Sequence, residues 1–394
     1  MSEVQAAPSL RERLNSPSET PFRHIPGLDG VRGIGIVIVM YGHYSAGLDE
    51  SFGRRIFGVS LTIDLFFVLS GFLITSLLLE EWSRSQTVSM RNFYVRRGLR
   101  LFPALLVLLT VVAIIPIVTD WLPLKLTLAE VAAALLYVYP AILMVKGEQA
   151  FLFHLWTLSI EEWFYFAWPV LLTAVGLRPG RPRRLRAVVW GLVLFCAVVA
   201  VIRVTSGPDS SLAIVYALRP DSLAYGALLA LFVRKLPDWL NPARERVLTV
   251  LTAIGCVGWL YFDMFAVYPG PASLSEGDFH NEAWTSWNYQ LGIFCCVLVI
   301  LHVVTRPGSP VTKALTFRPF VRIGALSYGL YLWHQPIFLL AKEHWYDANR
   351  SVMPGWAFAI CVGLVAFLVA QLSWRLVEVP ALRMKKRYET VRPA

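Results

Sequence analysis

LTIDLFFVLSGFLIT, residues 61–75, decides the fold: one carboxylate, Asp64, stands among Leu, Ile, Phe, Val and small residues. The apolar run around it extends from about 56 to 80, too long for a strand and, as a helix, enough to cross about 30 Å of hydrocarbon. The rest of the chain reads the same way. Of its 394 residues, 56% are hydrophobic and 16% are charged, a balance that needs lipid as solvent. No polar stretch is long enough for a separate soluble catalytic domain.

Outward from this run, further apolar runs lie at 28–48, 102–119, 127–145, 155–176, 187–206, 212–233, 247–268, 288–305, 323–341 and 356–376. With all eleven spanning, the basic link LRPGRPRRLR (residues 177–186) and later basic links would face outside, against the positive-inside rule. Making 127–145, which contains Glu130, a re-entrant or interfacial segment repairs every later loop. The expectation is an all-α membrane bundle of about ten transmembrane helices with both termini cytoplasmic, in the plasma (inner) membrane. Residues 1–25 read as a disordered cytoplasmic tail, 26–380 as the membrane domain, and 381–394 as a basic cytoplasmic tail. The outer loops include the acidic YPGPASLSEGDFHNEAWTS.

A net charge of +10 comes from short Lys and Arg clusters between apolar runs, which is a topology signal rather than a nucleic-acid surface. The five cysteines fall inside apolar runs without metal-ligand spacing, so no metal is expected.

Ionisable groups in hydrocarbon are costly unless they face a cavity or a partner, which makes each one a functional candidate. Arg32 and His43, eleven residues apart on the first helix, share a face about 16 Å apart along the axis. Asp64, Glu161 or Glu162 (HLWTLSIEEWFYF) and Asp221 (ALRPDSLAYGALLA, with Arg219) fall at similar depths toward the outer side. Glu161 and Glu162 are about 100° apart on a helix, so one of them faces a shared cavity. A histidine oriented by a carboxylate can take a proton from an attacking hydroxyl, as acyl transfer to an alcohol requires. In NFYVRRGLRLFP, Arg96, Arg97 and Arg100 gather at the cytoplasmic boundary and suit a phosphorylated donor. SYGLYLWHQPIF places Tyr331 and His334 three apart, on one face. Ser70, beside Gly71, reads as a small residue that lets helices approach closely. A transporter or flippase for a lipid-linked sugar is the alternative, with His43, Asp64 and Asp221 relaying protons. Such folds often show two similar halves, which this sequence lacks.

LDGVRG with His43 at the end of its helix, DLFFVLSGFLI, the pair Arg96 and Arg100, HLWTLSIEEWFYFAWP, RPDSLAYGALLA and SYGLYLWHQPI occur in that order. Together they resemble the acyltransferase family 3 membrane proteins, which include bacterial O-antigen and peptidoglycan O-acetylases and macrolide 3-O-acyltransferases. The resemblance covers nearly the whole chain. Trp163, where the family often has Gln, and Pro220, where it often has an apolar residue, are local departures.

The resemblance implies transfer of an acyl group, often acetyl, from cytoplasmic acyl-CoA to a hydroxyl of a glycan, glycolipid or glycosylated small molecule. No tightly bound cofactor is implied. Arg32 and His43 match the family's first-helix pair, and Arg96 and Arg100 its Arg-x-x-x-Arg motif. The expected roles are His43 as general base oriented by Asp64 or Glu161, and Arg32, Arg96, Arg97 and Arg100 as donor-binding cations. Glu162, Arg219, Asp221, Tyr331 and His334 are expected to bind substrate or support the site. Many family members carry an appended soluble hydrolase-like domain. With Ala394 soon after the last helix, transfer is expected to finish in the membrane domain or on a separate protein.

Overall fold

The computed structural model describes residues 25–48, 59–146, 151–177, 182–205, 218–265 and 282–388. The expected N-terminal tail, apart from Ile25, and most of the acidic outer loop lie outside these residues. In chain order the helices are α1 (Pro26–Gly47), α2 (Val59–Ser85), α3 (Met90–Val118), α4 (Leu124–Leu135), α5 (Tyr139–Lys146) and α6 (Trp156–Leu171). They continue as α7 (Pro182–Thr205), α8 (Pro220–Trp239), α9 (Pro242–Phe265), α10 (Glu282–Thr305), α11 (Pro310–Leu315) and α12 (Arg318–Ala325). The last three are α13 (Ser327–Ala341), α14 (Gly355–Ser373) and α15 (Val379–Lys385). No strand occurs among the described residues.

Helices are the local answer to a medium without water, because each backbone N–H and C=O must find its partner inside the chain. Ends are set by familiar devices. Ser89 caps α3 by accepting the Asn92 amide, and proline stands in the first turn of α1, α8, α11 and α12.

Six of the helical stretches are long and apolar enough to cross a membrane: Leu61–Ser85, Met90–Val118, Arg183–Thr205, Pro242–Phe262, Asn288–Thr305 and Gly355–Lys385. The chain is therefore a multi-pass membrane protein. Its outer face is apolar in register: Trp356, Ile360, Leu364, Leu368 and Leu372 are all exposed, four residues apart along one side of α14. Such a stripe is stable only against lipid. Charged side chains Asp64, Glu162, Arg203, Arg219 and Asp221 instead lie inside the bundle.

Residues 127–145 do not form one long helix. α4 and α5, of 12 and 8 residues, measure only about 18 and 12 Å, and Tyr137 between them turns the chain with φ +56°. Glu130 is the anchor of this hairpin. It accepts the Tyr139 hydroxyl at 2.7 Å and the Leu152 amide at 2.8 Å, which ties the pair to the approach to α6.

Two helix contacts position the interior. A Cβ on Gly33 would lie 2.0 Å from the Phe320 carbonyl oxygen, and one on Gly324 would lie 1.8 Å from that of Asp29. α1 and α12 therefore touch backbone to backbone. Gly71 and Gly226 do the same for α2 and α8, at 2.0 and 2.1 Å from backbone oxygens. Small residues at such crossings replace the hydrophobic drive that lipid removes. At the other end of the chain, the boundary expected at residue 380 falls inside α15, which packs against α3.

Candidate active site

α1 carries His43 and α13 carries His334, and the helices meet so that His43 Nδ1 lies 2.8 Å from His334 Nε2. The other nitrogen of His334, Nδ1, lies 2.8 Å from the Tyr331 carbonyl oxygen and 3.0 Å from that of Leu330. Carbonyls only accept, so the hydrogen-bond network assigns a proton to His334 Nδ1 and a lone pair to its Nε2. His43 Nδ1 is then the donor in the pair. His43 Nε2 is left with a lone pair and no hydrogen-bond partner among the described residues. Tyr44 donates to the His334 carbonyl at 3.4 Å, and the rings of Phe153 and His154 lie 5.3 Å from His43 and His334 respectively. The approach to α6 thus closes the histidine pair from the side.

The expected carboxylate beside His43 is replaced by this histidine. Asp64 lies elsewhere, fully buried, where it accepts Ser222 Oγ at 2.7 Å, Arg219 Nη1 at 3.1 Å and the Tyr289 hydroxyl at 3.3 Å. Asp221 is likewise paired, to both terminal nitrogens of Arg203 at 2.5 and 2.6 Å. Both ion pairs have no exposed side-chain surface. A carboxylate buried in hydrocarbon needs a cation and hydrogen bonds at hand, and α7 and the start of α8 supply them, drawing both acids away from α1. Arg219 adopts φ +47°, an unfavourable conformation for a side-chain-bearing residue, held by the bond to Asp64 and by the Tyr289 ring 5.3 Å away.

A cavity of about 440 Å³ runs through the bundle, within the size range of small-molecule sites. Arg32, Arg97, Arg100 and Lys385 line its basic end, Ser70 and Glu161 its middle, and Thr157 and Tyr331 its far end. Tyr331 links that end to the histidines. Its hydroxyl is 2.5 Å from Thr157 Oγ1 and donates to the His154 carbonyl, and its own carbonyl accepts from His334.

The two adjacent glutamates diverge as helix geometry requires. Glu161 faces the cavity and accepts Ser70 Oγ at 2.8 Å and the Tyr165 hydroxyl at 3.4 Å. Glu162 points the other way and takes Arg97 Nη2 and Nε at 2.8 and 3.0 Å, while that guanidinium stacks over the Tyr165 ring. Ser70 therefore does more than allow close packing, which is the role of its neighbour Gly71.

The arginines also divide. Arg100 opens into the cavity without a hydrogen bond or ion pair among the described residues, and Arg32 lies beside it with Asp29 at 3.3 Å. Arg96 lies outside the lining. It is held by Glu81 at 3.0 Å and by the Tyr388 carbonyl at 2.8 Å. Three contributors escaped the sequence reading. Arg203 was legible as a lone charge in the run 187–206, whereas His154 and Lys385 carried no signal apart from the fold.

The acyltransferase domain model of the family matches residues 25–375. The peptidoglycan O-acetyltransferase OatA of Listeria monocytogenes is 30% identical over 374 residues, covering 91% of this chain and 56% of the relative. The O-acetyltransferase OatA of Staphylococcus aureus is 28% identical over 381 residues, covering 94% of this chain and 58% of the relative. The chain thus spans little more than half the length of these relatives. No solved structure matches it.

Proposed function

This chain belongs to the acyltransferase family 3, and on that premise we propose that it is a plasma-membrane O-acyltransferase that carries an acetyl group from cytoplasmic acyl-CoA to a carbohydrate hydroxyl. The relatives' names point to peptidoglycan or a precursor of it as the acceptor. One observation carries the reading: a cavity ringed by cations at one end reaches Thr157 and Tyr331 at the other, and the Tyr331 carbonyl accepts from His334, partner of His43, whose Nε2 has no hydrogen-bond partner among the described residues.

In the reaction, the donor's phosphates sit among Arg32, Arg97 and Arg100, and its thioester reaches toward Thr157 and Tyr331. His43 Nε2 takes the proton of the acceptor hydroxyl as its oxygen attacks the thioester carbonyl. The carbon–sulfur bond breaks, and the thiolate leaves with the proton returned from His43. His334 keeps the base in the right tautomer and accepts a hydrogen bond from the imidazolium. Glu161, held by Ser70 and Tyr165, lines the donor's path.

The topology follows the same line. α1 has 22 residues and α8 has 20, about 33 and 30 Å. α6 and α13, each extended by a five-residue π-helical turn, reach about 30 Å or slightly more. Their apolarity is diluted by the site residues themselves. With these four added to the six apolar spans, ten helices cross, and both termini face the cytoplasm together with the basic end of the cavity. The domain then acts from residue 26 through the end of α15 at Lys385. A transporter or flippase has no support from the relatives, both of which are named for acetyl transfer.

The test is purified protein in lipid nanodiscs, given acetyl-CoA and either a muropeptide or a lipid-linked precursor. Release of free thiol coupled to a gain of one acetyl mass on the glycan is expected. No acceptor-dependent thiol release would sink the reading.

A further inference from the structure

The basic end of the cavity is completed by a residue beyond the reach of the family match, which stops at residue 375. Lys385 is the last residue of α15 and lines the cavity with Arg32, Arg97 and Arg100. These four cations come from three separate helices; Asp29 pairs with Arg32 and Glu162 with Arg97, which leaves the mouth with an excess of positive charge that includes Arg100, without an ion pair among the described residues. Like charges gathered at a partly enclosed mouth repel one another, and an anion relieves that repulsion.

Lys385 is not there by chance of a loose tail. Glu81, near the end of α2, accepts the Ser89 amide at 2.8 Å and pairs with Arg96 at 3.0 Å. Arg96 in turn donates to the Tyr388 carbonyl at 2.8 Å, in the 3₁₀ turn that follows α15. The α2–α3 turn, the start of α3 and the C-terminal turn are thereby tied together, which holds α15 across the mouth.

We propose that Lys385 is a binding residue for the phosphates of the acyl donor, and that Arg96 is a positioning residue that holds α15 in place for it. This rests on the reading of the cavity as an acyl-CoA site. A lysine ammonium on its long stem beside planar arginine forks suits a ligand with several phosphate groups at different heights.

Donor kinetics test it with acetyl-CoA as the probe and full-length protein in nanodiscs. Lys385→Met is expected to raise the donor KM about five- to tenfold with kcat held within about twofold, as loss of a charge-assisted contact made in both ground and transition states requires. Lys385→Arg restores the KM, and the dependence of KM on ionic strength becomes shallower in Lys385→Met. Arg96→Gln moves KM in the same direction through α15, with no further increase when combined with Lys385→Met. An unchanged KM in Lys385→Met, with wild-type thiol release intact, overturns this proposal and leaves the donor reading standing. Absence of thiol release from acetyl-CoA by the wild type overturns both.

Discussion

His43 donates through Nδ1 to His334 Nε2 at 2.8 Å, and His334 in turn donates its Nδ1–H to backbone carbonyls of the same helix. The chain of donors runs in one direction only. It ends at fixed carbonyl oxygens and therefore leaves a lone pair on His43 Nε2, without a hydrogen-bond partner among the described residues.

His43→Ala is expected to lower acceptor-dependent turnover by about 10²- to 10⁴-fold, the ordinary contribution of a general base, with expression unchanged. His334→Ala should lose less, because the base remains while its tautomer is no longer held. Steady-state rates for both variants decide this. Wild-type turnover in His43→Ala rejects the base.

Arg100→Ala should weaken acetyl-CoA binding by about tenfold or more, since a cavity-facing guanidinium makes charge-assisted bonds to phosphate. Calorimetric titration of acetyl-CoA provides the measure. An unchanged affinity would return this arginine to a role in topology alone.

Asp64→Ala and Arg219→Ala are expected to act on stability rather than chemistry. Each leaves the partner charge stranded in the bundle, at a cost of about 3–5 kcal/mol. Thermal unfolding in detergent should show a clear drop for each variant, and the double variant should be less destabilised than the sum of the two. A fully stable Asp64→Ala with no activity would instead make Asp64 part of the chemistry.

Gly33→Ala should lower the yield of folded protein, because its methyl group would lie 2.0 Å from the Phe320 carbonyl oxygen and would push α1, with His43, away from α12. Gly191→Ala is the control, with nothing within 4 Å of the added carbon. It should be neutral or stabilising by about 0.5–1 kcal/mol, the helix-propensity gain. Size-exclusion profiles and melting temperatures of the two variants compare them directly.

Much of the site was legible in the sequence because a charge in an apolar run announces itself. Arg32, His43, Asp64, Glu161, Arg100 and Asp221 all stand out on cost alone, and periodicity sets Glu161 and Glu162 on different faces without saying which one meets the cavity. Partner choice was not legible. Asp64 and Glu161 were both at a plausible depth to orient His43, yet Asp64 lies against Arg219 and Ser222 while Glu161 lies against Ser70. Depth along a helix is a property of one segment, but direction around it matters only once neighbours are in place.

The sequence by itself determined that this chain lives in lipid, that it is helical, that 127–145 is the weak span, and which residues are too costly to be idle. These follow from local quantities, namely run length, charge and the 3.6-residue period. Only the tertiary structure decided that His334 and not a carboxylate stands behind His43, that Arg96 turns away from the cavity while Lys385 turns toward it, and that Arg203 and Arg219 neutralise the deep acids. The physical reason is that a buried charge takes the nearest compatible partner in space, and in a bundle that partner lies on another helix, as far as 155 residues away for Asp64 and Arg219.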